Sequence, residues 1–233
     1  MRLVFAGTPE PAVESLQQLI DSQHEVVAVL TRPDARKGRG RTLHPSPVKE
    51  LALKHGIEVL TPVTLKDNEE IRQRLRELAP DCIPVVAYGN LIPEDMLDIA
   101  THGWVNLHFS LLPQWRGAAP VQHSILSGET ATGATVFRID PGLDTGQILN
   151  VLPDEIASGD TSDVLLGRLA RRGAATLVET MDGLENGTIT PRAQEGEASY
   201  ASKIAVDDAR ITWSRPAAEI DRAIRAYTSA PGA

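Results

Sequence analysis

A Rossmann-like, doubly wound α/β fold on a mostly parallel sheet is what this sequence predicts, from three features. Short runs of Val, Ile, Leu and Phe recur along most of the chain. Between them lie segments whose apolar residues repeat at helical spacing. The strand-like runs are near-continuously apolar rather than alternating, as strands covered on both faces are. With 42% hydrophobic and 23% charged residues among 233, the chain can bury a substantial core.

The elements follow in order. "RLVFA" (Arg2–Ala6) reads as a strand, and "GTPEP" leads into a helix with Val13, Leu16, Leu19 and Ile20 on one face. "EVVAVLT" (Glu25–Thr31) is the second strand, followed by a basic loop and a helix around Val48–Lys54. A short strand at Ile57–Leu60, a polar helix near Asn68–Leu78 and the strand "CIPVVAY" (Cys82–Tyr88) come next. Trp104–His108 is the following strand, "APVQHSILSG" a helix, and "GATVFRI" and "QILNVLPDEI" two more strands. Asp163–Asn186 is a long helix with Leu165, Leu166, Leu169, Leu177 and Leu184 to pack. One principal domain is thus expected over residues 1–189. Residues 190–206 have little periodicity and read as a linker. A strand-like "ARITW" and a helical "AAEIDRAIRAY" then make residues 207–233 the truncated beginning of a second domain, because one strand and one helix cannot make a core.

Several function classes drop out. No apolar run approaches the ~20 residues of a membrane helix, and "MRLVFAG" is too short for a signal peptide. The single Cys82 permits no intrachain disulfide, which fits a cytoplasmic protein, and reads as a small buried hydrophobe. "GRGRTL" lacks the third glycine of a dinucleotide fingerprint and follows the second strand; "AGTPEP" has two prolines where phosphate-cradling amides would be needed. There is no P-loop, no H-E-x-x-H and no cysteine pair, so no metal is expected. The net charge of −8 argues against a generally basic nucleic-acid binder. Its distribution is uneven. Arg32–Lys49 carries a net +5, leaving −13 for the rest, as a local anion contact or a solvated loop would.

One stretch departs from its role as a strand. In "VNLHFSLLPQWRGAAP" (Val105–Pro120), alternation sets Asn106, His108 and Ser110 on one side and Val105 and Leu107 on the other. They stand at a strand's C-terminal end, where open α/β sheets bind ligands. The loop "RIDPGLDTGQIL" after the next strand supplies Asp140 and Asp144, either of which can be a plain turn residue or return a carboxylate toward His108. An amide donor, an imidazole and a carboxylate suit acyl-type transfer between nitrogens: the amide stabilises an oxyanion, the imidazole exchanges a proton and the carboxylate orients it. No G-x-S-x-G elbow occurs, which argues against a covalent acyl-enzyme.

Asn106-x-His108 followed by Ser110-Leu111-Leu112-Pro113, with Asp144 in "GLDTG", resembles the folate-dependent formyltransferases. "FAGTPEPAVESL", "GRGRTLHPSPVKELA", "VVAYGNLIP", "SLLPQWRGAAPVQ", "GLDTGQIL" and "DDARITW" are similar, in order, to the methionyl-tRNA formyltransferase branch of that family, from residue 3 to about 213. The resemblance implies formyl transfer from 10-formyltetrahydrofolate to the amino group of initiator methionyl-tRNA, by a monomer needing no metal or membrane. It implies Asn106 as oxyanion donor, a protonated His108 and Asp144 as the carboxylate that raises its pKa. It places folate along Val86, Tyr88, Gly89 and Leu91 and along Ser110, Leu111, Leu112 and Pro113, with Leu112–Pro113 a candidate cis peptide beside the site. It turns Arg36, Lys37, Arg39 and Arg41 into tRNA phosphate contacts, and Trp115 and Arg116 into site-wall packing. Phe109 stands where many relatives have glycine, and the family carries a C-terminal β-barrel of which only the first part is expected here. Formyl transfer to a small amine, or a non-catalytic folate- or tRNA-binding fragment, are the alternatives; "PSPVK", "WRGAAP" and the basic loop weigh against the first.

Overall fold

In the computed structural model, which describes residues 1–37 and 42–233, the backbone alternates strand and helix from the start. The elements are β1 (Arg2–Gly7), α1 (Glu10–Ile20), β2 (Glu25–Leu30), β3 (Ala35–Lys37), β4 (Thr42–His44), α2 (Pro47–Lys54), β5 (Glu58–Leu60), α3 (Glu69–Leu78), β6 (Ile83–Val86), β7 (Trp104–His108), β8 (Arg116–Gly117), α4 (Pro120–Ser127), β9 (Ala131–Arg138), β10 (Ile148–Glu155), α5 (Ser162–Glu185), β11 (Tyr200–Ala201) and α6 (Ala217–Tyr227). Local chemistry sets several of the helix starts. The Ser46 hydroxyl accepts from the Lys49 amide at 3.0 Å to cap α2, with Pro47 in the first turn, where its missing N–H costs nothing. The Asn68 side chain caps α3 through the Ile71 amide at 3.2 Å.

The main sheet has seven strands in the order β10-β9-β7-β6-β1-β2-β5. The strands from β5 through β7 are parallel, whereas β9 is antiparallel to β7 and β10 to β9. One face packs Leu3, Phe5, Val105, Leu107 and Val136 against α1, α2, α4 and α5; the other packs Val4, Ala6, Ile83 and Trp104 against α3 and the segment around Met96. After β5 the chain crosses back to lay β6 on the far side of β1. That reversal opens a crevice at the C-terminal ends of β1 and β6, the usual ligand position in such sheets.

Four details differ from the sequence expectation. The strand expected over Cys82–Tyr88 stops at Val86, because Ala87 (φ 48°) and Gly89 (φ 81°) turn the chain out of the sheet. The basic loop contains the antiparallel pair β3–β4. "ARITW" is not a strand: a short 3-10 turn, Val206–Ala209, runs into it, and the residues after that turn pair with no strand among the described residues. The stretch read as a linker is docked, with Arg192 bridged to Ile148 and β11 paired in parallel with β8. Helix α6 also packs on the main body: Ala226 enters the core, and the Arg222 guanidinium donates to the Leu126 carbonyl at 3.2 Å. No described helix is long and apolar enough to cross a membrane.

Candidate active site

The alternation in β7 holds. Trp104 packs into the core layer on one face and Val105, Leu107 and Phe109 into the layer on the other, which leaves Asn106 and His108 on the Trp104 side. Asn106 is half-buried in the middle of the sheet, between Val85 of β6 and Phe137 of β9. His108 is 6% exposed and lies edge-on to the Phe137 ring, with centroids 6.3 Å apart.

The chain beyond β7 builds the hydrogen bonds of His108. Its Nε2 donates to the Trp115 carbonyl at 2.8 Å, since a carbonyl only accepts; in the neutral ring Nδ1 is then the nitrogen with the free lone pair. Asp144 Oδ2 stands 3.9 Å from that Nδ1, a charge contact rather than a hydrogen bond. The same oxygen accepts from the Gly117 amide at 2.7 Å. Gly117 has φ 119°, and a Cβ there would sit 2.6 Å from the Ala201 carbonyl oxygen, so only glycine lets this amide reach Asp144. Burial lowers the His108 pKa below its ordinary 6.5, and it outweighs Asp144 and the Trp115 carbonyl, which both raise it. Against the expectation of a protonated His108, desolvation outweighs the attraction of one carboxylate at 3.9 Å and shifts the ring toward its neutral form.

The two aspartates separate cleanly. Asp140 Oδ1 accepts from the Gly142 amide at 3.1 Å and the Thr145 hydroxyl at 2.6 Å, the work of a turn residue. Asp144, held at φ 51°, is the one that faces His108.

The expected folate residues fall into two groups. Ser110, Leu111, Leu112 and Pro113 form one tight loop in which the Leu112–Pro113 peptide is cis, as expected. Ser110 donates to the Gln114 carbonyl at 2.6 Å. Val86 and Tyr88 turn their side chains into the core, at 0% and 2% exposure, so only their backbone groups can face a ligand. Burial pushes the Tyr88 hydroxyl up to about 12, and its carbonyl accepts from Thr8 at 2.8 Å. Gly89 and Leu91 are exposed on the loop beyond β6. Cys82 is buried, with burial pushing its thiol up to about 12, as a packed hydrophobe requires. Arg36 is exposed on β3, and Lys37 ends that strand; Arg39 and Arg41 lie outside the described residues, as does the side chain of Lys37. Away from this site, His24, Asp182 and Glu185 bring ligand-type atoms within 4.8 Å of one another at the start of β2.

Sequence reasoning missed three supporting residues. Thr135 of β9, fully buried opposite His108, donates to the Ser110 carbonyl at 2.7 Å and accepts from the Leu112 amide at 3.1 Å. A hydroxyl set between the apolar residues Ala134 and Val136 was the available signal. Ser199 accepts from the Trp115 amide at 2.8 Å, and Gln194 bonds both site loops; both lie in an aperiodic polar stretch that gives no signal.

The doubly wound sheet has an amide, an imidazole and a carboxylate at its carboxyl edge, and the class it falls in, the formyl transferases, is given by the family match. A family model described as "Formyl transferase" matches residues 1–181, and "Formyl transferase, C-terminal domain" matches 203–233. The chain is 71% identical to a methionyl-tRNA formyltransferase of Corynebacterium glutamicum strain R, spanning 100% of this chain and 75% of that protein. It is 57% identical to a methionyl-tRNA formyltransferase of Rhodococcus erythropolis, over 100% of this chain and 76% of that one. In three dimensions it is similar to an N-formyltransferase from Helicobacter canadensis, solved with folinic acid and dTDP-3-aminofucose. The TM-score is 0.75 at 23% identity, over 97% of this chain and 80% of the other. The chain belongs to the methionyl-tRNA formyltransferase family and is a formyl-transferring enzyme.

Proposed function

We propose that the chain transfers the formyl group of 10-formyltetrahydrofolate to the free amino group of initiator methionyl-tRNA, with Asn106, His108 and Asp144 carrying the chemistry. The observation that carries this reading is the placement of His108 at the end of β7, its Nε2 held by the Trp115 carbonyl and its Nδ1 facing Asp144. The substrate amine, once deprotonated, attacks the formyl carbon; the new C–N bond forms as the carbonyl electron pair moves onto oxygen. The Asn106 carboxamide donates to that oxyanion. His108 Nδ1 takes the proton released by the amine, and Asp144 stabilises the imidazolium so formed. Collapse of the intermediate breaks the bond to the folate nitrogen, which leaves with the proton that His108 returns. Family membership supports the folate donor and the tRNA acceptor. Arg36, Lys37, Arg39 and Arg41 serve as phosphate contacts in this reading. Residues 1–189 form its catalytic unit, and the protein acts as a cytoplasmic monomer.

The test is single-turnover formylation of methionyl-tRNA by Asn106→Ala and Asp144→Ala. Each should keep wild-type melting and lose roughly 10²- to 10³-fold in rate, the cost of one transition-state partner. Rates within tenfold of wild type would reject the assignment.

A further inference from the structure

We infer that Gln194, in the stretch between the two matched family regions, is a positioning residue that sets the Asp144–His108 geometry; this rests on the catalytic reading of Asp144 given above. The Gln194 carboxamide is fully used. Its Nε2 donates to the Asp144 carbonyl at 2.8 Å and to the Gly146 carbonyl at 2.9 Å. Its Oε1 accepts from Arg116 Nη2 at 2.6 Å and Nε at 3.2 Å. The orientation of the amide is dictated by chemistry, since carbonyls only accept and a guanidinium only donates.

These bonds close a ring. Arg116 precedes Gly117, whose amide holds Asp144 Oδ2, while Gln194 holds the backbone of the same aspartate. The loop after β7 and the loop after β9 are therefore linked twice, once through the Asp144 carboxylate and once through Gln194. Asp144 sits at φ 51°, a conformation a non-glycine residue keeps only when its surroundings hold it. Two bonds to the carbonyls of residues 144 and 146 brace that turn on both sides. The neighbouring chain adds to the clamp: the Arg116 amide donates to the Ser199 carbonyl at 2.9 Å, and the Ala118 amide to the Ala201 carbonyl at 2.8 Å. Among the described residues Gln194 has no hydrogen bond to His108 or to the Asp144 carboxylate, so its effect on the reaction passes through where that carboxylate is placed.

Two variants of the intact protein separate the bonds. Gln194→Met keeps the side chain's length and loses every hydrogen bond; Gln194→Glu keeps the acceptor for Arg116 and loses the donors to the two carbonyls. Both should lower kcat by about tenfold or more with KM for folate and for tRNA within twofold, and both should displace the acid limb of the pH–kcat profile. In an Asp144→Ala background neither substitution should lower the rate further. The proposal is overturned if kcat and the pH profile of both variants match wild type, if only Gln194→Met loses activity, or if the loss persists undiminished beside Asp144→Ala. Should Gln194→Met fail to fold, Gln194→Glu with the Asp144→Ala cycle decides alone. An Asp144→Ala enzyme with wild-type turnover would instead remove the catalytic reading of Asp144, an outcome distinct from failure of the Gln194 variants in an enzyme that needs Asp144.

Discussion

At the residue scale the site turns on which nitrogen of His108 holds its proton. The Trp115 carbonyl assigns it to Nε2, and burial lowers the pKa of the ring below its ordinary 6.5. The acid limb of kcat/KM should therefore lie below 6.5. Asp144 raises the His108 pKa, so Asp144→Asn should move the limb of the residual activity to still lower pH; a limb that stays or rises would contradict the assignment. Stability follows the same sign. The unfolded chain takes up the imidazole proton from about 6.5 downward while folded His108 resists it, so this contribution is complete above 6.5 and is lost as pH falls through the folded value. Asn106 and His108 were legible because strand alternation is a two-residue period that needs no tertiary knowledge. Asp140 and Asp144 were not separable that way, since both sit in one turn beside glycines and only the path of the folded loop aims one at His108.

At the scale of elements, β7 is a strand with two jobs. Its Asn106 and His108 serve the site, and its Val105 and Leu107, with Phe109 just beyond, hold it on α4 and α5. Phe109 is 8% exposed in that core layer and lines the apolar groove rather than the His108 pocket. Phe109→Ala should thus cost stability, about 3 to 5 kcal/mol by urea denaturation, because it leaves a cavity beneath the strand. A loss under about 1 kcal/mol would mean the ring is not a core anchor. The seven strands of the main sheet and the helices were legible from periodicity, down to the limits of β7, whereas the short pairs β3–β4 and β8–β11 were not. "ARITW" was misread because β-branched residues favour a strand only where a partner strand accepts their hydrogen bonds, and residues 209–213 have none among the described residues.

At the scale of the whole molecule, charge is divided. The segment Arg32–Lys49 is basic and the rest of the chain acidic, with Lys49 tied to Asp34 at 2.7 Å and Arg36 exposed. Replacing Arg39 and Arg41 by alanine should raise KM for tRNA and flatten its dependence on salt. The logarithmic slope should fall by about 0.7 to 0.9 for each phosphate that is no longer neutralised. An unchanged slope would exclude this segment from the tRNA interface. The sequence by itself determined the layered α/β fold, the strand that carries the site and the family, because hydrophobic period and short motifs are local properties of the chain. The tertiary structure alone decided that burial lowers the His108 pKa, that Asp144 rather than Asp140 faces it, and that residues 192–201 clamp both loops. Those outcomes depend on desolvation and on hydrogen bonds between residues far apart in the chain, 84 positions from Trp115 to Ser199, which no local pattern encodes.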